Sequence, residues 1–356
     1  MCRRSMTAAV FFGLLLTFFR YPAPAWAGGG AAYALYDAFS GEFIEEKNAD
    51  EKRPAASTAK IMTALVAAEE GDHAERIPIL REDTAVEGSR VYLEAGEEPT
   101  LEELLAGVLL ASGNDAAMAA ARGAAGSVKS FTEKMNRRAE RIGMTGTHYE
   151  NPTGLDGEGQ VTTARDLALL AAEAMKNETV ARLFRTRYAS FGGHVLKNHN
   201  KLLWKSADCV GGKTGFTRKA GRCLVSVFEK SGRRMIAVTL SDPDDWQDHL
   251  AFADRFYREV EEREISFSFP VRTADFEREE GVLLASVALP LRPGEKEKLT
   301  YTLEADHFLW RLPDEGEATG LFRVFLNGRE IAGGAPFFAP SPGRKTRGLL
   351  QSGKTG

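Results

Sequence analysis

Hydrophobic and polar positions follow different periods in two parts of the chain, and the pattern changes near residue 263. Before that point, short runs with two-residue alternation are interleaved with runs of helical period. Strands are predicted at 33–36, 42–45, 210–216, 222–229 and 234–240. Helices are predicted at Ser57–Glu70, Leu101–Leu110, Asp115–Arg122, Val128–Ile142, Thr163–Met175 and 246–261. This mixture predicts a first domain of the α/β (α+β) class.

Residues at the predicted helix borders support these assignments. Thr100 and Glu103 match a T-x-x-E capping box, in which each side chain satisfies a backbone N–H at the helix start. Ser127 precedes the fourth helix, and Gly143 follows its end, where a left-handed residue commonly stops a helix.

Beyond a boundary near Arg263–Ser266, apolar and polar residues alternate without helix signals. Asn327-Gly328 follows an apolar run and is a strong hairpin-turn signal. The pattern predicts a small all-β C-terminal domain at 264–340, after a first domain at 28–263. The last residues, 341–356, are rich in Pro, Gly, Lys and Arg and predict a disordered tail without a clear amphipathic helix, so support for peripheral membrane association is weak.

The first 27 residues have the organisation of a secretory signal peptide. Arg3 and Arg4 precede the uncharged apolar stretch Thr7–Phe19, and Ala25-Trp26-Ala27 supplies a small-x-small cleavage site. The alternative is a permanent membrane anchor, but this stretch is short for spanning ~30 Å of hydrocarbon. We therefore predict cleavage after Ala27 and an exported protein of the cell envelope.

The composition restricts the function classes. The chain has 356 residues, 43% of them hydrophobic and 27% charged, which is typical of a globular protein. Its net charge of −4 gives no electrostatic footprint for nucleic acid. Cys209 and Cys223 permit a single disulfide, although we expect two buried thiols. The six histidines lack metal-ligand spacing, and neither a metal nor another cofactor is predicted.

The motif Ser57-Thr58-Ala59-Lys60 carries the chemistry of an activated nucleophile. Positions i and i+3 share one face of a helix, so Lys60 lies beside Ser57. Lys60 can act as a base only when neutral, and burial or a second cation such as Lys213 lowers a lysine pKa. An isolated S-x-x-K is more often a helix start with an exposed lysine, so the assignment depends on the other motifs.

Two further motifs complete the candidate site. Ser112-Gly113-Asn114 lies in a break between predicted helices, where the Ser112 hydroxyl can relay a proton to a leaving amine. Asn114 alone is more often a helix N-cap. Lys213-Thr214-Gly215 follows Gly211-Gly212 into a strand, where small residues let a substrate backbone pair along a sheet edge. Lys213 and Thr214 offer a cation and a hydroxyl for a carboxylate.

One other motif match does not fit its context. Residues 348–355 match the Walker A pattern, but no strand clearly precedes them and no helix follows to receive phosphate. Nucleotide binding is therefore not predicted.

The three motifs, in this order, resemble those of the low-molecular-weight penicillin-binding proteins, the D-alanyl-D-alanine carboxypeptidases. The resemblance covers residues 33–262. It implies a penicillin-binding or β-lactamase-like domain with an antiparallel sheet flanked by helices and a β-rich C-terminal domain. Further matching stretches are Leu109–Asp115, Asn151–Asp156, Thr162–Leu167, Asn198–Leu203 and Lys213–Gly221.

The resemblance also implies a reaction and a role for each site residue. Ser57 would be acylated by a peptidoglycan stem peptide ending in D-Ala-D-Ala, and β-lactam antibiotics would inhibit the enzyme by acylating the same serine. Lys60 would be the general base, while Ser112 with Lys213 would handle the leaving-group proton. The remaining predicted contacts to substrate come from Asn114, Lys213, Thr214, Gly215 and Arg218 and from the backbone N–H groups of Ser57 and Phe216, which would form the oxyanion hole.

Two departures from the family pattern leave room for other functions. Ala55-Ala56 places one additional alanine before the serine, and Pro243–His249 lacks an arginine that some members use near the terminal carboxylate. One alternative is a β-lactamase, although the chain lacks the E-x-x-L-N stretch of class A enzymes. Another is an inactive wall-binding scaffold; the arguments against it are the intact Ser57, Lys60, Ser112 and Lys213.

Overall fold

The computed structural model describes residues 30–272, 279–304 and 315–340. Its first part is built on a five-stranded sheet in the order β2-β1-β7-β6-β5, in which all neighbours are antiparallel. Strand β5 lies at one edge of this sheet, so the K-T-G motif that it carries faces an open side. The strands are β1 Ala32–Asp37, β2 Glu42–Lys47, β5 Cys209–Thr217, β6 Gly221–Lys230 and β7 Arg233–Leu240.

Helices cover both faces of this sheet. The central helix is α1, Lys60–Glu70, which a 3₁₀ turn at Ala56–Ala59 precedes. Residues 60–68 of α1 are all buried, as expected for a helix surrounded by other elements. The other helices on its side are α2 Arg81–Thr84, α3 Leu101–Leu109, α4 Asn114–Ala125, α5 Val128–Ile142, α6 Ala164–Ala174 and α7 Glu178–Arg185.

The opposite face is covered by α8, Leu202–Lys205, and α9, Asp245–Arg258. Leu224 and Phe228 of β6 pack there, whereas Val225 and Val227 face the larger core, as strand alternation requires. The predicted antiparallel sheet flanked by helices is confirmed.

The residues predicted to cap the third and fifth helices are confirmed. Thr100 accepts a hydrogen bond from the Glu103 N–H, and the Glu103 carboxylate accepts one from the Thr100 N–H. Ser127 accepts a hydrogen bond from the Ser130 N–H, and Gly143 ends α5 with a φ of +87°. The final helix stops at Arg258 instead of residue 261, because the chain there enters the next strand.

Several short elements were not predicted. They are α2, α7, α8 and a hairpin of β3, Tyr188–Phe191, with β4, His194–Lys197. Each is four to eight residues long. Such segments have little periodicity of their own and depend on tertiary packing.

The C-terminal part is all-β, as predicted, and forms two three-stranded sheets. Both contribute to a second core that includes Phe267, Leu289, Phe322 and Val324. Asn327-Gly328 joins two strands with φ angles of +53° and +78°, as a two-residue hairpin turn requires. The strands are β8 Glu261–Arg272, β9 Glu279–Leu291 and β13 Phe337–Pro340 in one sheet and β10 Leu299–Glu304, β11 Leu321–Leu326 and β12 Arg329–Gly334 in the other.

The domain boundary between residues 263 and 264 remains a prediction, and β8 begins at Glu261, just before it. A buried ion cluster joins the first sheet to the C-terminal part: the Arg233 guanidinium contacts both Asp37 and Glu295 and donates to the Pro290 carbonyl at 2.7 Å. The predicted signal peptide and tail lie outside the described residues. Within the described ranges, no helix has the length and apolar character needed to cross a bilayer.

Candidate active site

Ser57 lies on the 3₁₀ turn that leads into α1. Ala56, the second of the two alanines before it, is fully buried and has a φ of +46°. A left-handed alanine costs roughly 1 kcal/mol, and such residues concentrate at functional sites. The second of the two alanines thus takes a left-handed conformation directly before the serine.

Lys60 is completely buried, one turn after Ser57. Its Nζ lies 3.0 Å from the Ser57 Oγ. It also donates to the Asn114 Oδ1 at 2.5 Å and to the Thr153 carbonyl at 2.6 Å. Burial, together with the nearby Lys213 cation, holds the pKa of Lys60 well below its ordinary value. The amine thus gives up its proton more readily than an exposed lysine does, and it has two fixed acceptors besides the serine.

Lys213 and Ser112 form a second polar pair. The Lys213 Nζ donates to the Ser112 Oγ and to the Thr214 carbonyl, both at 2.9 Å. Ser112 is 4% exposed and occupies the break between α3 and α4 with a φ of +61°. Burial lowers the pKa of Lys213 to about 7, so this lysine exchanges its proton near neutral pH. The structure thus brings together the two motifs that carry Ser112 and Lys213.

Asn114 is not the N-cap of α4, which is Gly113. Its amide instead joins Lys60 to the loop before α3: the Oδ1 accepts from Lys60, and the Nδ2 donates to the Glu87 carbonyl at 2.6 Å. The amide is therefore held from both sides next to the reactive groups.

Two supporting residues were missed from the sequence. Thr153 contributes only its backbone carbonyl, which no side-chain pattern reveals. Asp115 is fully buried, and its carboxylate accepts the N–H groups of Val91, Tyr92 and Leu93 at 3.0, 2.8 and 3.2 Å. It thereby fixes the loop that forms one side of the site. The sequence signal for Asp115 was an acidic residue directly after the S-G-N motif.

These groups open into a cleft of about 840 Å³ along β5. Ser57, Ser112, Thr214, Gly215 and Phe216 line it. A Cβ on Gly215 would lie 3.1 Å from the Ser57 nitrogen, so glycine lets the strand approach the backbone of the nucleophile. The Phe216 side chain is 66% exposed beside the opening.

The arginine predicted to contact substrate lies elsewhere. Arg218 is exposed at the end of β5 and does not line the cleft. The arginine that does so is Arg222 of β6, which donates to the Asp245 carboxylate at 2.5 Å. Asp245 and Trp246 come from the stretch that lacks an arginine, so that stretch still contributes to the cleft.

Cys209 and Cys223 are both free and buried, which confirms the expectation of two thiols. Across residues 30–272, 279–304 and 315–340, no three His, Cys, Asp or Glu side chains are grouped to hold a metal ion.

Solved structures resemble this chain in fold. A putative penicillin-binding protein homolog from Mycobacterium tuberculosis is 30% identical, with a TM-score of 0.64 over 67% of this chain and 95% of that one. Penicillin binding protein 5 from Haemophilus influenzae is 23% identical, with a TM-score of 0.64 over 87% and 96%, and shows the fold alone. The fold and the paired serine and lysine define a serine hydrolase of the penicillin-binding class.

The family follows from the sequence comparisons. A family model described as D-alanyl-D-alanine carboxypeptidase matches residues 24–244. DacC of Escherichia coli, a D-alanyl-D-alanine carboxypeptidase, is 32% identical over 326 residues, which cover 84% of this chain and 81% of the relative. DacF of Bacillus subtilis is 35% identical over 214 residues, about half the length of that relative. The chain belongs to the D-alanyl-D-alanine carboxypeptidase family, whose members are serine-type peptidases.

Proposed function

We propose that this protein removes the terminal D-alanine from peptidoglycan stem pentapeptides through an acyl-Ser57 intermediate. The observation that carries the proposal is the fully buried Lys60 amine, which lies 3.0 Å from the Ser57 Oγ. In this proposal the protein acts on the cell wall after export and cleavage of residues 1–27. No cofactor takes part in this scheme.

Acylation begins with proton transfer from Ser57 to Lys60. A neutral amine has two hydrogens and one lone pair. The two hydrogens point to Asn114 and Thr153, so the lone pair faces the Ser57 hydroxyl. Proton transfer frees Ser57 to attack the carbonyl of the penultimate D-alanine. The low pKa of Lys60 suits this role, since a base must be unprotonated at the working pH.

The developing oxyanion is stabilised by the backbone N–H groups of Ser57 and Phe216. The close approach of Gly215 to the Ser57 nitrogen supports this pairing. Collapse of the intermediate requires a proton on the leaving nitrogen. Protonated Lys213 supplies it through Ser112, whose Oγ it contacts at 2.9 Å.

The substrate lies along the open edge of β5. Thr214 and Asn114 bind the peptide in this proposal, with Lys213 near its carboxylate. Water then hydrolyses the ester and restores Ser57. A β-lactam acylates the same serine, but its ring remains tethered near the path of the deacylating water, so that adduct is released slowly.

The test measures D-alanine release from a pentapeptide ending in D-Ala-D-Ala by mass spectrometry. Ser57→Ala is compared with Ser89→Ala, a second serine that lines the same cleft. We expect one D-alanine per peptide from the wild type and from Ser89→Ala, and none from Ser57→Ala. Release by Ser57→Ala contradicts the proposal. Rapid, sustained penicillin turnover supports a β-lactamase instead, and absence of any penicillin adduct supports a scaffold.

A further inference from the structure

A buried carboxylate just after the end of β7 has an oxygen without a partner. Asp242 is completely buried, and its Oδ1 accepts a hydrogen bond from the Asp244 N–H at 3.1 Å. Within the described ranges, its Oδ2 has no hydrogen-bond partner, and the carboxylate forms no ion pair within 4.0 Å. Buried polar groups are normally paired, because an unpaired buried charge is costly. The site therefore lacks a hydrogen-bond donor, and a cationic donor would suit it best.

The charges near Asp242 are mainly of its own sign. Burial and the nearby carboxylates of Asp248 and Asp245 raise the pKa of Asp242 to about 6, and hydrogen bonds offset this only in part. The Arg222 guanidinium donates to Asp245 at 2.5 Å and forms no ion pair with Asp242. A cation placed beside the Asp242 Oδ2 would therefore be attracted by several carboxylates at once.

The beginning of the described chain lies against this carboxylate. Strand β1 pairs with β7 in a register that sets Ala32 opposite Leu240, so Gly30 lies opposite Asp242. A Cβ on Gly30 would lie 3.3 Å from the Asp242 Cβ and 3.5 Å from its carboxyl carbon. Lys47 donates to the Gly30 carbonyl at 2.8 Å and so holds this residue in place. Gly30 is therefore fixed directly against the Asp242 side chain.

Cleavage of the leader, residues 1–27, creates a cation two residues before Gly30. Hydrolysis of the Ala27–Gly28 peptide bond leaves a carboxylate on Ala27 and an amine on Gly28, which is mostly protonated near pH 7. Each residue spans at most about 3.6 Å, so this amine is within ~7 Å of the Gly30 nitrogen. Residues 28–30 are all glycine, which permits a tight turn of the chain toward the carboxylate.

We propose that the α-ammonium group of Gly28 binds the Asp242 carboxylate and completes this buried site. The inference rests on the cleavage after Ala27 that belongs to the proposed function, but not on the reaction at Ser57. The ligand is thus the new N-terminus of the protein itself. The uncleaved chain cannot supply it, because the same nitrogen is then a neutral amide.

The site is connected to one rim of the cleft. The Asp242 N–H donates to the Arg222 carbonyl at 2.9 Å, and the Arg222 side chain holds Asp245. Arg222, Asp245 and Trp246 all line the cleft. Binding of the ammonium group therefore holds the segment 242–246 from its buried end, and removal of the leader is coupled to the order of this rim.

The test measures how strongly Asp242 protects the N-terminal amine. Protein that begins at Gly28 is treated with acetic anhydride near pH 7, and acetylation of the α-amine is followed by peptide mass spectrometry, with lysine amines as the internal reference. The variant is Asp242→Asn. The matched control is Asp244→Asn, because Asp244 is an exposed acid two residues away. A chain that begins at Ala25 represents the uncleaved protein.

We expect the wild-type α-amine to react at least about tenfold more slowly than that of Asp242→Asn, since one unit of amine pKa changes the reactive neutral fraction about tenfold. Asp244→Asn should react like the wild type. In chains that begin at Ala25, the amine lies up to ~10 Å further away, so Asp242→Asn should change its rate less than about twofold at 0.1 M salt. The pH dependence of the wild-type rate gives the amine pKa without any variant, and it should lie at least about one unit above the ordinary 7.7–8.0.

An ordinary amine pKa in the wild type overturns the inference. Equal increases in rate for Asp242→Asn and Asp244→Asn also overturn it, because they indicate only the general field of the acids. An exported protein whose mass shows that residues 1–27 are retained does the same. Penicillin acylation of Ser57 is measured on the same samples. Acylation with an unprotected amine overturns this inference alone, whereas a protected amine without acylation supports it and contradicts the proposed function.

Discussion

Substitution of Gly154 by alanine tests whether the nucleophile and its base depend on one close backbone contact. Gly154 has a φ of +80°, and a Cβ there would lie 1.9 Å from the Ala56 carbonyl oxygen. An ordinary contact begins near 3.4 Å, so one backbone must move by about 1.5 Å. Ala56 directly precedes Ser57, and Thr153, next to Gly154, holds the Lys60 amine. If the Ala56 backbone moves, Ser57 is displaced from Lys60. If the Gly154 backbone moves, the Thr153 carbonyl is displaced from the Lys60 amine.

A misplacement of about 1 Å costs roughly 100-fold in rate. We expect Gly154→Ala to slow acylation by a fluorescent penicillin about 100-fold in stopped-flow measurements. Gly126→Ala is the matched control, because Gly126 has a φ of +74° and no atom within 4 Å of its Cβ position. Both substitutions cost roughly 1 kcal/mol of stability from the left-handed backbone. Acylation by Gly154→Ala within threefold of the rate of Gly126→Ala would refute this reasoning.

Three further predictions concern titration, stability and thiol reactivity. Burial lowers the pKa of Lys213 to about 7, and the proposed mechanism needs this lysine to be protonated. The acylation rate should therefore decline above pH 7. Lys213→Arg, which stays charged, should shift that decline to higher pH in a pH–rate profile. Arg233→Met leaves Asp37 and Glu295 buried without their partner. The free energy of unfolding should therefore fall by about 3–5 kcal/mol in denaturant titrations. A loss below about 1 kcal/mol would contradict this expectation. Burial raises the pKa of both Cys209 and Cys223 to about 11, so neither should react with iodoacetamide at pH 7.5 until the protein is unfolded; modification of the native protein would contradict their burial.

The parts of the fold that the sequence predicted are those with strong local signals. The helices that carry Ser57 and Lys60, the Thr100–Glu103 cap and the Asn327-Gly328 turn each follow from residues close together in the chain. Local propensity, capping and apolar periodicity agree at these positions. The order of the three motifs then predicted which side chains would meet.

The remaining parts depend on contacts between distant segments. The Thr153 carbonyl reaches Lys60 across 93 residues, and a backbone acceptor has no signature in the sequence. The hairpin that carries Lys197 and the four-residue helix that carries Trp204 are too short to show a period. The contribution of these two segments to the cleft could therefore not be predicted from the sequence.

The most direct test of the central claim is to locate the acyl group on the protein. The protein is incubated with a penicillin, digested, and its peptides are sequenced by mass spectrometry, with Ser57→Ala treated in parallel. We expect a single adduct on Ser57 and none on the variant, whose fold is checked by thermal unfolding. An adduct on Ser112 or another residue, or an adduct that persists in folded Ser57→Ala, would contradict the assignment of the nucleophile.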